Sequence, residues 1–428
     1  MQITVIGTGF VGVVTAAVFA KFGNFVWALD VDKEKVKLLN TGKIFFYEPN
    51  LEELVKENLK KNRLKFTSGY QEAVKDSEVI FICVGTPSAP NGQADLKYVF
   101  SAAQSLAPFI KDRVIIVIKS TVPPSTNRKI DQIIERKTKN KFFSASIPEF
   151  LKEGTAVADA LNPQRVIIGS TNKWVVAKLL DLHKPLQGPK IVMRPESAQL
   201  TKYAANAYLA TRIAFINEIA NLCEKTGADI EEIIQGLGAD ERIGSHYWYP
   251  GPGYGGSCFP KDVKELAAFA SGIGERDGLF EKIDRLNEER IPKLITKISQ
   301  RIGRLSGKKV AVLGLSFKPN TSDMREAPST KFIPLLLKSG ATVIAYDPKA
   351  VPSARKLFQE AVSFTTSPYK AADGADVLLL LTEWDEFKQL NLEKIKKVMR
   401  GRIFIDTRNI YDPQKVKKQG FQYIGVGR

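Results

Sequence analysis

The sequence predicts an α/β protein in which two Rossmann-like doubly wound domains are joined by a long central helix and a helical domain. Three observations lead to this fold class. The chain opens with a strand, a glycine-rich turn and a helix; a second strand–turn–helix unit begins near residue 308; and residues 196–226 between them contain neither Gly nor Pro. For 428 residues we expect several domains, and we place them at 1–195, 196–300 and 301–428.

The first unit begins with an apolar strand over residues 2–6 and an apolar helical pattern over residues 13–22. The turn between them, Gly7 to Gly12, reads G-x-G-x-x-G, and a second strand over residues 25–29 ends at Asp30. Such a motif alone is a weak signal, but between a strand and a helix, with an acid about 20 residues on, it indicates a dinucleotide site. Asp30 would accept hydrogen bonds from the ribose hydroxyls and repel a 2′-phosphate, which favours NAD over NADP.

Polar residues stand just beyond three further predicted strands. Thr86 follows a strand over residues 78–85, Thr121 follows one over residues 113–120, and Glu149 comes soon after a third strand end at Ser146. Ligands of open parallel sheets bind beyond the carboxyl ends of the strands. We therefore expect Thr86, Thr121 and Glu149 to line the cofactor and substrate crevice.

The central run of residues 196–226 predicts one long helix, because its apolar residues recur at helical spacing. Lys202 and Asn206 are four residues apart and so share a face. A lysine on a helix is a solvated surface charge by default; the alternative is a catalytic role. If Lys202 is catalytic, Lys202→Ala should lower activity and leave folding almost untouched.

Residues 255–262, Gly-Gly-Ser-Cys-Phe-Pro-Lys-Asp, place a thiol at the start of a predicted helix. Pro260 suits the first helical position, the helix N-terminus and Lys261 favour a thiolate on Cys258, and Asp262 follows one turn later. We expect the two glycines to let backbone approach a ligand closely. The bland alternative is a small buried residue before a helix. The neighbouring charges favour a nucleophilic cysteine.

A second α/β unit begins at Lys308, with strands over residues 310–313 and 342–346 and a helix over residues 329–338 between them. It lacks G-x-G-x-x-G, which predicts a second nucleotide domain that grips phosphate differently. Lys318, Arg325 and Arg408 follow strands, where cations could meet a diphosphate.

Composition excludes several other classes. The net charge of +17 is spread along the chain among acids and without an RNA-binding signature, so we expect an anionic small ligand and no nucleic acid. The three cysteines have no metal-site spacing, Cys83 and Cys223 fit buried apolar segments, and with two histidines we expect no metal site. We find no signal sequence or membrane segment and expect a cytoplasmic protein.

Seven stretches resemble the nucleotide-sugar dehydrogenases, that is, the UDP-glucose/GDP-mannose dehydrogenase family. They are residues 7–12, 120–123, 148–154, 202–206, 255–262, 314–318 and 324–328. They occur in order over nearly the whole chain. Residue Phe259 and the run at 162–169 are similar to the branch that oxidises UDP-glucose.

The resemblance implies roles for individual residues. The catalytic set it implies is Cys258, Lys202, Asn206, Asp262, Glu149 and Thr121. The NAD-binding set is Gly7, Gly9, Phe10, Val11, Gly12, Asp30, Lys35, Thr86, Thr121, Glu153, Lys261 and Arg325. The set for the UDP-sugar is Glu149, Phe150, Leu151, Lys152, Glu153, Lys202, Asn206, Arg242, Tyr247, Tyr249, Gly251, Gly253, Tyr254, Gly255, Cys258, Lys318 and Arg408.

The implied reaction is an NAD-dependent, four-electron oxidation of UDP-glucose to UDP-glucuronate, with a thiohemiacetal and then a thioester on Cys258. The alternative substrates are GDP-mannose and a UDP-N-acetylhexosamine. An alternative of another class is a non-catalytic nucleotide-sugar-binding regulatory protein. The resemblance also implies a homodimer with its contact on the central helix.

Overall fold

The computed structural model describes all 428 residues, Met1–Arg428, and they form two compact units. The first unit comprises Met1–Ala205 and Glu265–Gly274; the second comprises Asn206–Lys264 and Glu275–Arg428.

An eight-stranded sheet with the strand order β3-β2-β1-β4-β5-β6-β7-β8 forms the centre of the first unit. The strands are β1 (Gln2–Ile6), β2 (Phe25–Leu29), β3 (Leu64–Thr67), β4 (Val79–Ile82), β5 (Val114–Ile118), β6 (Phe142–Ser146), β7 (Val166–Gly169) and β8 (Lys190–Met193). All neighbours are parallel except β6 and β7, which meet antiparallel at Ser146 and Gly169. The parallel part has the strand order of a doubly wound dinucleotide-binding fold.

Helices cover both faces of this sheet. They are α1 (Phe10–Lys21), α2 (Lys33–Asn40), α3 (Leu51–Lys60), α4 (Tyr70–Val74), α5 (Lys97–Leu106), α6 (Thr126–Glu135), α7 (Ala156–Leu161) and α8 (Lys173–Leu182). Along β4, Val79 and Phe81 enter one apolar cluster while Ile80 and Ile82 enter another. Because successive strand residues point to opposite faces, this alternation gives the sheet a core on each side.

Four helices follow in the middle of the chain: α9 (Pro195–Thr226), α10 (Ile230–Gly238), α11 (Phe259–Gly272) and α12 (Leu279–Ile302). The unit boundary falls within α9 and again within α11. The long helix predicted over residues 196–226 is thus present, with Pro195 at its first position, where a proline lacks no hydrogen bond that the helix needs.

The second unit has a six-stranded parallel sheet with the order β11-β10-β9-β12-β13-β14. Its strands are β9 (Lys309–Leu313), β10 (Thr342–Tyr346), β11 (Ser363–Phe364), β12 (Val377–Leu380), β13 (Ile403–Asp406) and β14 (Gln422–Ile424). Its helices are α13 (Pro328–Lys338), α14 (Val351–Phe358), α15 (Pro368–Ala372), α16 (Asp385–Lys388), α17 (Leu392–Val398) and α18 (Pro413–Lys418). Val377 and Leu379 enter one core cluster and Leu378 and Leu380 another, so this sheet is also covered on both faces.

The predicted fold class is confirmed, with small differences at the ends of elements. Helix α1 begins at Phe10, directly after its N-cap Gly9 and three residues earlier than the apolar pattern predicts. Cys83 is buried as predicted but lies just after β4, which ends at Ile82. Cys223 is buried in the core of the second unit. None of the helices has the length and apolar character needed to span a membrane.

Candidate functional site

The glycine-rich turn of the first unit is shaped by close packing at two glycines and by open space at the third. A Cβ on Gly12 would stand 1.8 Å from the carbonyl oxygen of Gly7, and Gly7 itself has φ +94° with the backbone of Cys83 2.9 Å from its Cβ position. At Gly9, nothing lies within 4 Å of the Cβ position. Since Gly9 precedes α1, this space lies at a helix N-terminus, where a diphosphate is stabilised.

Asp30 holds this turn in place. One carboxylate oxygen accepts hydrogen bonds from the Thr8 amide (2.9 Å), the Thr8 hydroxyl (2.8 Å) and the Lys35 ammonium (3.1 Å). The other accepts only from the Asp32 amide (3.1 Å). Burial alone would raise the pKa of Asp30, but these hydrogen bonds together lower it below its ordinary value. The group is therefore an ionised acceptor that still has capacity for a ribose hydroxyl.

The ends of β4 and β5 are joined by side-chain hydrogen bonds. Thr86 Oγ1 donates to the carbonyl oxygen of Thr121 at 2.9 Å, and Ser120 Oγ donates to that of Val84 at 2.6 Å. The two threonines predicted to line one crevice are thus neighbours beyond adjacent strands. This agrees with the expectation for the carboxyl edge of a parallel sheet.

Glu149 and Lys202 form a buried ion pair. Lys202 Nζ lies 3.0 Å from Glu149 Oε1, and the two residues are 3% and 8% exposed. Glu149 Oε2 also accepts from the Leu151 amide at 2.5 Å. Burial alone would raise the pKa of Glu149, but Lys202, the Leu151 amide and the charge of Lys119 hold it below its ordinary value. Glu149 is therefore an ionised carboxylate that can accept a proton.

The burial of Lys202 corrects one expectation from the sequence. Lys202 is neither a solvated surface charge nor a residue that can be removed without effect on folding. Its loss would leave the Glu149 carboxylate buried without its counter-ion, which is strongly destabilising.

The loop after Glu149 is fixed by a residue that the sequence did not single out. The buried Glu48 carboxylate accepts from the amides of Gly154 (2.6 Å) and of Ala156 (2.7 Å), the first residue of α7. Both amides come shortly after Glu153. The family resemblance assigns Glu153 to ligand binding. Glu48 lies 106 residues from Gly154 in the chain, so no local pattern could have revealed the contact.

In the second unit, Cys258 immediately precedes α11 and is half-buried. Its carbonyl oxygen accepts from the Asp262 amide at 2.8 Å, which places Asp262 one helical turn further on. The Ser257 hydroxyl lies 3.6 Å from the Cys258 sulfur. The thiol thus stands at a helix N-terminus, where the helix dipole favours a thiolate.

The buried carboxylate of Asp262 contacts two other predicted site residues. It is 1% exposed; Lys261 Nζ lies 2.5 Å from Oδ1 and Asn206 Nδ2 donates to Oδ2 at 2.5 Å. Asn206 and Asp262 of the predicted catalytic set therefore meet within the second unit, together with Lys261 of the predicted NAD-binding set.

The glycines before Cys258 have a packing role that we did not predict. A Cβ on Gly255 would stand 2.2 Å from the carbonyl oxygen of Glu326, and one on Gly256 would stand 2.7 Å from the Phe317 ring. The Gly256 amide also donates to the carbonyl oxygen of Arg325 at 3.0 Å. The space that these glycines leave free on their Cβ side is filled by the chain itself, so the lack of a side chain at both positions allows tight internal packing.

The cations predicted to hold a diphosphate differ in their surroundings. Arg408 donates hydrogen bonds to the carbonyl oxygens of Leu381 (2.8 Å) and Phe317 (3.2 Å) and forms an ion pair with Glu383 (3.1 Å). Lys318 lies beside the Phe317 ring. Two further arginines form exposed ion pairs with nearby aspartates: Arg242 with Asp240, and Arg325 with Asp323. The rings of Tyr247 and Tyr249 pack against each other in a tilted arrangement, with centroids 5.5 Å apart.

Asp347 occupies the position in the second unit that Asp30 occupies in the first, after the second strand. One oxygen accepts from the Leu315 and Ser316 amides, the Ser316 hydroxyl and the Trp384 indole, at 2.7 to 3.1 Å. The other accepts from the amides of Lys349 (2.8 Å) and Ala350 (2.7 Å).

The chain matches one protein family along most of its length. Residues 1–187 match the NAD binding domain of the UDP-glucose/GDP-mannose dehydrogenase family, residues 196–289 its central domain and residues 311–413 its UDP binding domain.

Individual relatives cover the whole chain. UDP-glucose 6-dehydrogenase TuaD of Bacillus subtilis is 42% identical over 429 residues, which is 100% of this chain and 93% of that protein. UDP-glucose 6-dehydrogenase of Pseudomonas aeruginosa is 42% identical over 442 residues, covering 100% and 98%. A solved UDP-glucose dehydrogenase from Pyrobaculum islandicum is similar with a TM-score of 0.93 and 37% identity, covering 99% of this chain and 97% of that one.

Proposed function

The chain belongs to the UDP-glucose/GDP-mannose dehydrogenase family, and from that premise we propose that it is an NAD-dependent UDP-glucose 6-dehydrogenase. The observation that carries the proposal is Cys258 at the N-terminus of α11, with the buried Asp262 carboxylate one turn further on. A protein that only binds a nucleotide sugar has no use for a thiol held in this way.

We assign the cofactor to the first unit. The open space at Gly9, the helix N-terminus behind it and the spare acceptor capacity of Asp30 fit the diphosphate and ribose of NAD. NAD, when bound, accepts a hydride in each of the two oxidation steps. Thr86 and Thr121, joined beyond neighbouring strands, are proposed to border the same crevice.

The protein's own groups supply the remaining chemistry. In the first oxidation the C6 carbon loses a hydride and its hydroxyl loses a proton, which gives an aldehyde. The Cys258 sulfur then adds to the aldehyde carbon, and loss of a second hydride and a proton turns this thiohemiacetal into a thioester. Water attacks the thioester, the thiolate leaves, and the carboxylate product is released.

We propose that Glu149 acts on the proton of the attacking water, since it is an ionised, buried carboxylate. Lys202, Asn206 and Asp262 are proposed to stabilise the oxygen at C6 as its charge changes. The other residues of the substrate set and the two domain boundaries, at residues 195 and 300, stay predictions.

We expect each UDP-glucose to yield two NADH, with no free aldehyde. The aldehyde is held as a thiohemiacetal on Cys258 until the second hydride leaves. Absorbance at the NADH band, combined with chromatography of the sugar nucleotides, measures the ratio. GDP-mannose and a UDP-N-acetylhexosamine in the same panel test the alternative substrates. A ratio of one would contradict the thiol trap, and no NADH from any sugar would support a binding protein instead.

We also expect a preference for NAD over NADP that depends on Asp30. The ionised carboxylate would repel a 2′-phosphate, and Asp30→Asn, which removes the charge, should narrow the preference mainly through the KM for each cofactor. Asp32→Asn is a suitable control, because it removes a charge two residues from Asp30 at a side chain that caps α2. Equal use of both cofactors by the unmodified protein would contradict the assignment.

We propose a homodimer whose contact includes α9. Its residues Tyr208, Phe215 and Leu222 are seven apart and 61%, 48% and 57% exposed, so they form an apolar stripe along one face of the helix. We expect Phe215→Lys together with Leu222→Lys to convert the dimer to a monomer, as measured by light scattering coupled to size exclusion. Exposed Lys225→Glu serves as the control. An unchanged dimer in the double variant would place the contact elsewhere.

The cytoplasmic location that we expect from the sequence stays a prediction.

A further inference from the structure

Residues 249–256, which we call the substrate loop, lead directly into Ser257 and Cys258. The backbone of the loop is held by side chains from two helices. At Gly251, the amide donates to Asn217 Oδ1 of α9 at 2.8 Å, and the carbonyl oxygen accepts from Arg290 Nε of α12, also at 2.8 Å. Both backbone groups of one loop residue are therefore satisfied by buried side chains.

The same arrangement occurs three residues later. The Tyr254 amide donates to Asn287 Oδ1 at 2.8 Å, and Asn287 Nδ2 donates to the Tyr254 carbonyl oxygen at 3.1 Å. Gly253 has φ +92°, and a Cβ there would stand 2.3 Å from Asn287 Oδ1. The loop thus adopts a left-handed backbone and lacks a side chain where Asn287 approaches it.

These contacts are costly as a means of stabilising the fold. Asn217, Asn287 and Arg290 are 4%, 8% and 3% exposed, and burial lowers the pKa of Arg290 to about 10. Arg290 Nη1 donates to Asn221, but Nη2 is buried without a hydrogen-bond partner. Apolar side chains in these places would bury more favourably. What the polar ones provide is a fixed position for the loop backbone.

We propose that Asn217, Asn287 and Arg290 are positioning residues that pre-form the substrate loop and thereby set the orientation of Cys258 before any ligand binds. The consequence for the reaction rests on the proposed function, because it assumes that Cys258 is the nucleophile. Pre-formation itself does not, since the hydrogen bonds are made within the protein alone. Ordering a loop when the substrate binds costs binding free energy, and a loop that is ordered beforehand avoids this cost.

The test uses the full chain without substrate. Asn287→Ala removes both bonds to Tyr254, and Asn217→Ala removes the one to the Gly251 amide. Hydrogen exchange, resolved to single amides by fragmentation in the mass spectrometer, should be about tenfold or more faster in each variant at all three amides of Gly251, Tyr254 and Gly256. The rate of Cys258 alkylation by iodoacetamide should rise together with these exchange rates. Glu289→Gln, on the exposed face of α12, should leave exchange and alkylation unchanged.

The outcomes separate a positioning role from a merely structural one. Faster exchange confined to the single amide that lost its partner, or spread evenly over the whole second unit, would overturn the proposal. With UDP-glucose, we expect KM for the sugar nucleotide to rise about tenfold while KM for NAD changes little. If exchange and alkylation respond as expected but no substrate is oxidised, the loop inference stands and the proposed function fails.

Discussion

Cys258→Ser is expected to abolish complete turnover, lowering steady-state NADH production at least about 1,000-fold. The hydroxyl is a far weaker nucleophile than a thiolate at a helix N-terminus, and an alkoxide is a far poorer leaving group in the final hydrolysis. An ester-linked sugar should therefore accumulate on the protein. Intact-mass spectrometry after incubation with UDP-glucose and NAD would detect it.

The chain provides a matched control in Cys223, which is buried in the second unit and has no part in the proposed chemistry. Cys223→Ser should retain the two-to-one ratio of NADH to substrate, with a modest loss of stability. Full turnover by Cys258→Ser would remove the thiol from the mechanism and leave only the fold and the binding sites in common with the family.

The second large effect is expected for Lys202→Ala, in both activity and stability. Loss of a positioned cation should lower kcat by about 100-fold or more. Because the Glu149 carboxylate stays buried, the free energy of unfolding should fall by about 3–5 kcal/mol at neutral pH. Thermal or denaturant unfolding and steady-state kinetics of the same preparation measure the two effects.

The pH dependence separates the two contributions. In the unmodified protein the pKa of Glu149 lies below its ordinary value of 4.5, so its pairing stabilises the fold above that pH and is lost as the pH falls through the lowered pKa. In Lys202→Ala the largest cause of the lowering is gone, and only the Leu151 amide and the charge of Lys119 still lower the pKa of Glu149. The stability penalty should therefore shrink as the pH approaches and passes below 4.5.

A matched double variant, Lys202→Ala with Glu149→Gln, should recover much of the stability, because a neutral amide needs no counter-ion. It should recover none of the activity, because both proposed catalytic groups are missing. A penalty that does not change with pH, or is not reduced in the double variant, would show that the ion pair is not its source. Normal kcat in Lys202→Ala would remove this lysine from the mechanism.

Local spacing was sufficient to predict part of the site. The interval from Cys258 to Asp262 is one helical turn, and the interval from Lys202 to Asn206 is another, so the sequence placed each pair on one face of a helix. The same holds for the strand ends, because β1, β2 and β10 are short apolar runs bounded by turn residues.

The rest depends on contacts between distant parts of the chain. Lys202 and Glu149 are 53 residues apart, and nothing in their local patterns indicates that either is buried, still less that they pair. The antiparallel meeting of β6 and β7 also went unpredicted, because a short apolar run carries no information about its direction. The internal packing at Gly255 and Gly256 could not be predicted for a similar reason: the atoms next to their Cβ positions come from residues 317 and 326.

The carboxylate after the second strand has a consequence for attempts to exchange ligands between the two units by engineering. Asp347 already receives six hydrogen bonds, four on one oxygen and two on the other, so unlike Asp30 it has no oxygen with a free acceptor site. Transplanting G-x-G-x-x-G into the turn after β9 would therefore not create a second dinucleotide site, since a ribose would find its anchoring acid saturated. Removing the Ser316 hydroxyl and the Trp384 indole would not be enough for a redesign, because the amides of Leu315, Ser316, Lys349 and Ala350 would still occupy both oxygens of the carboxylate.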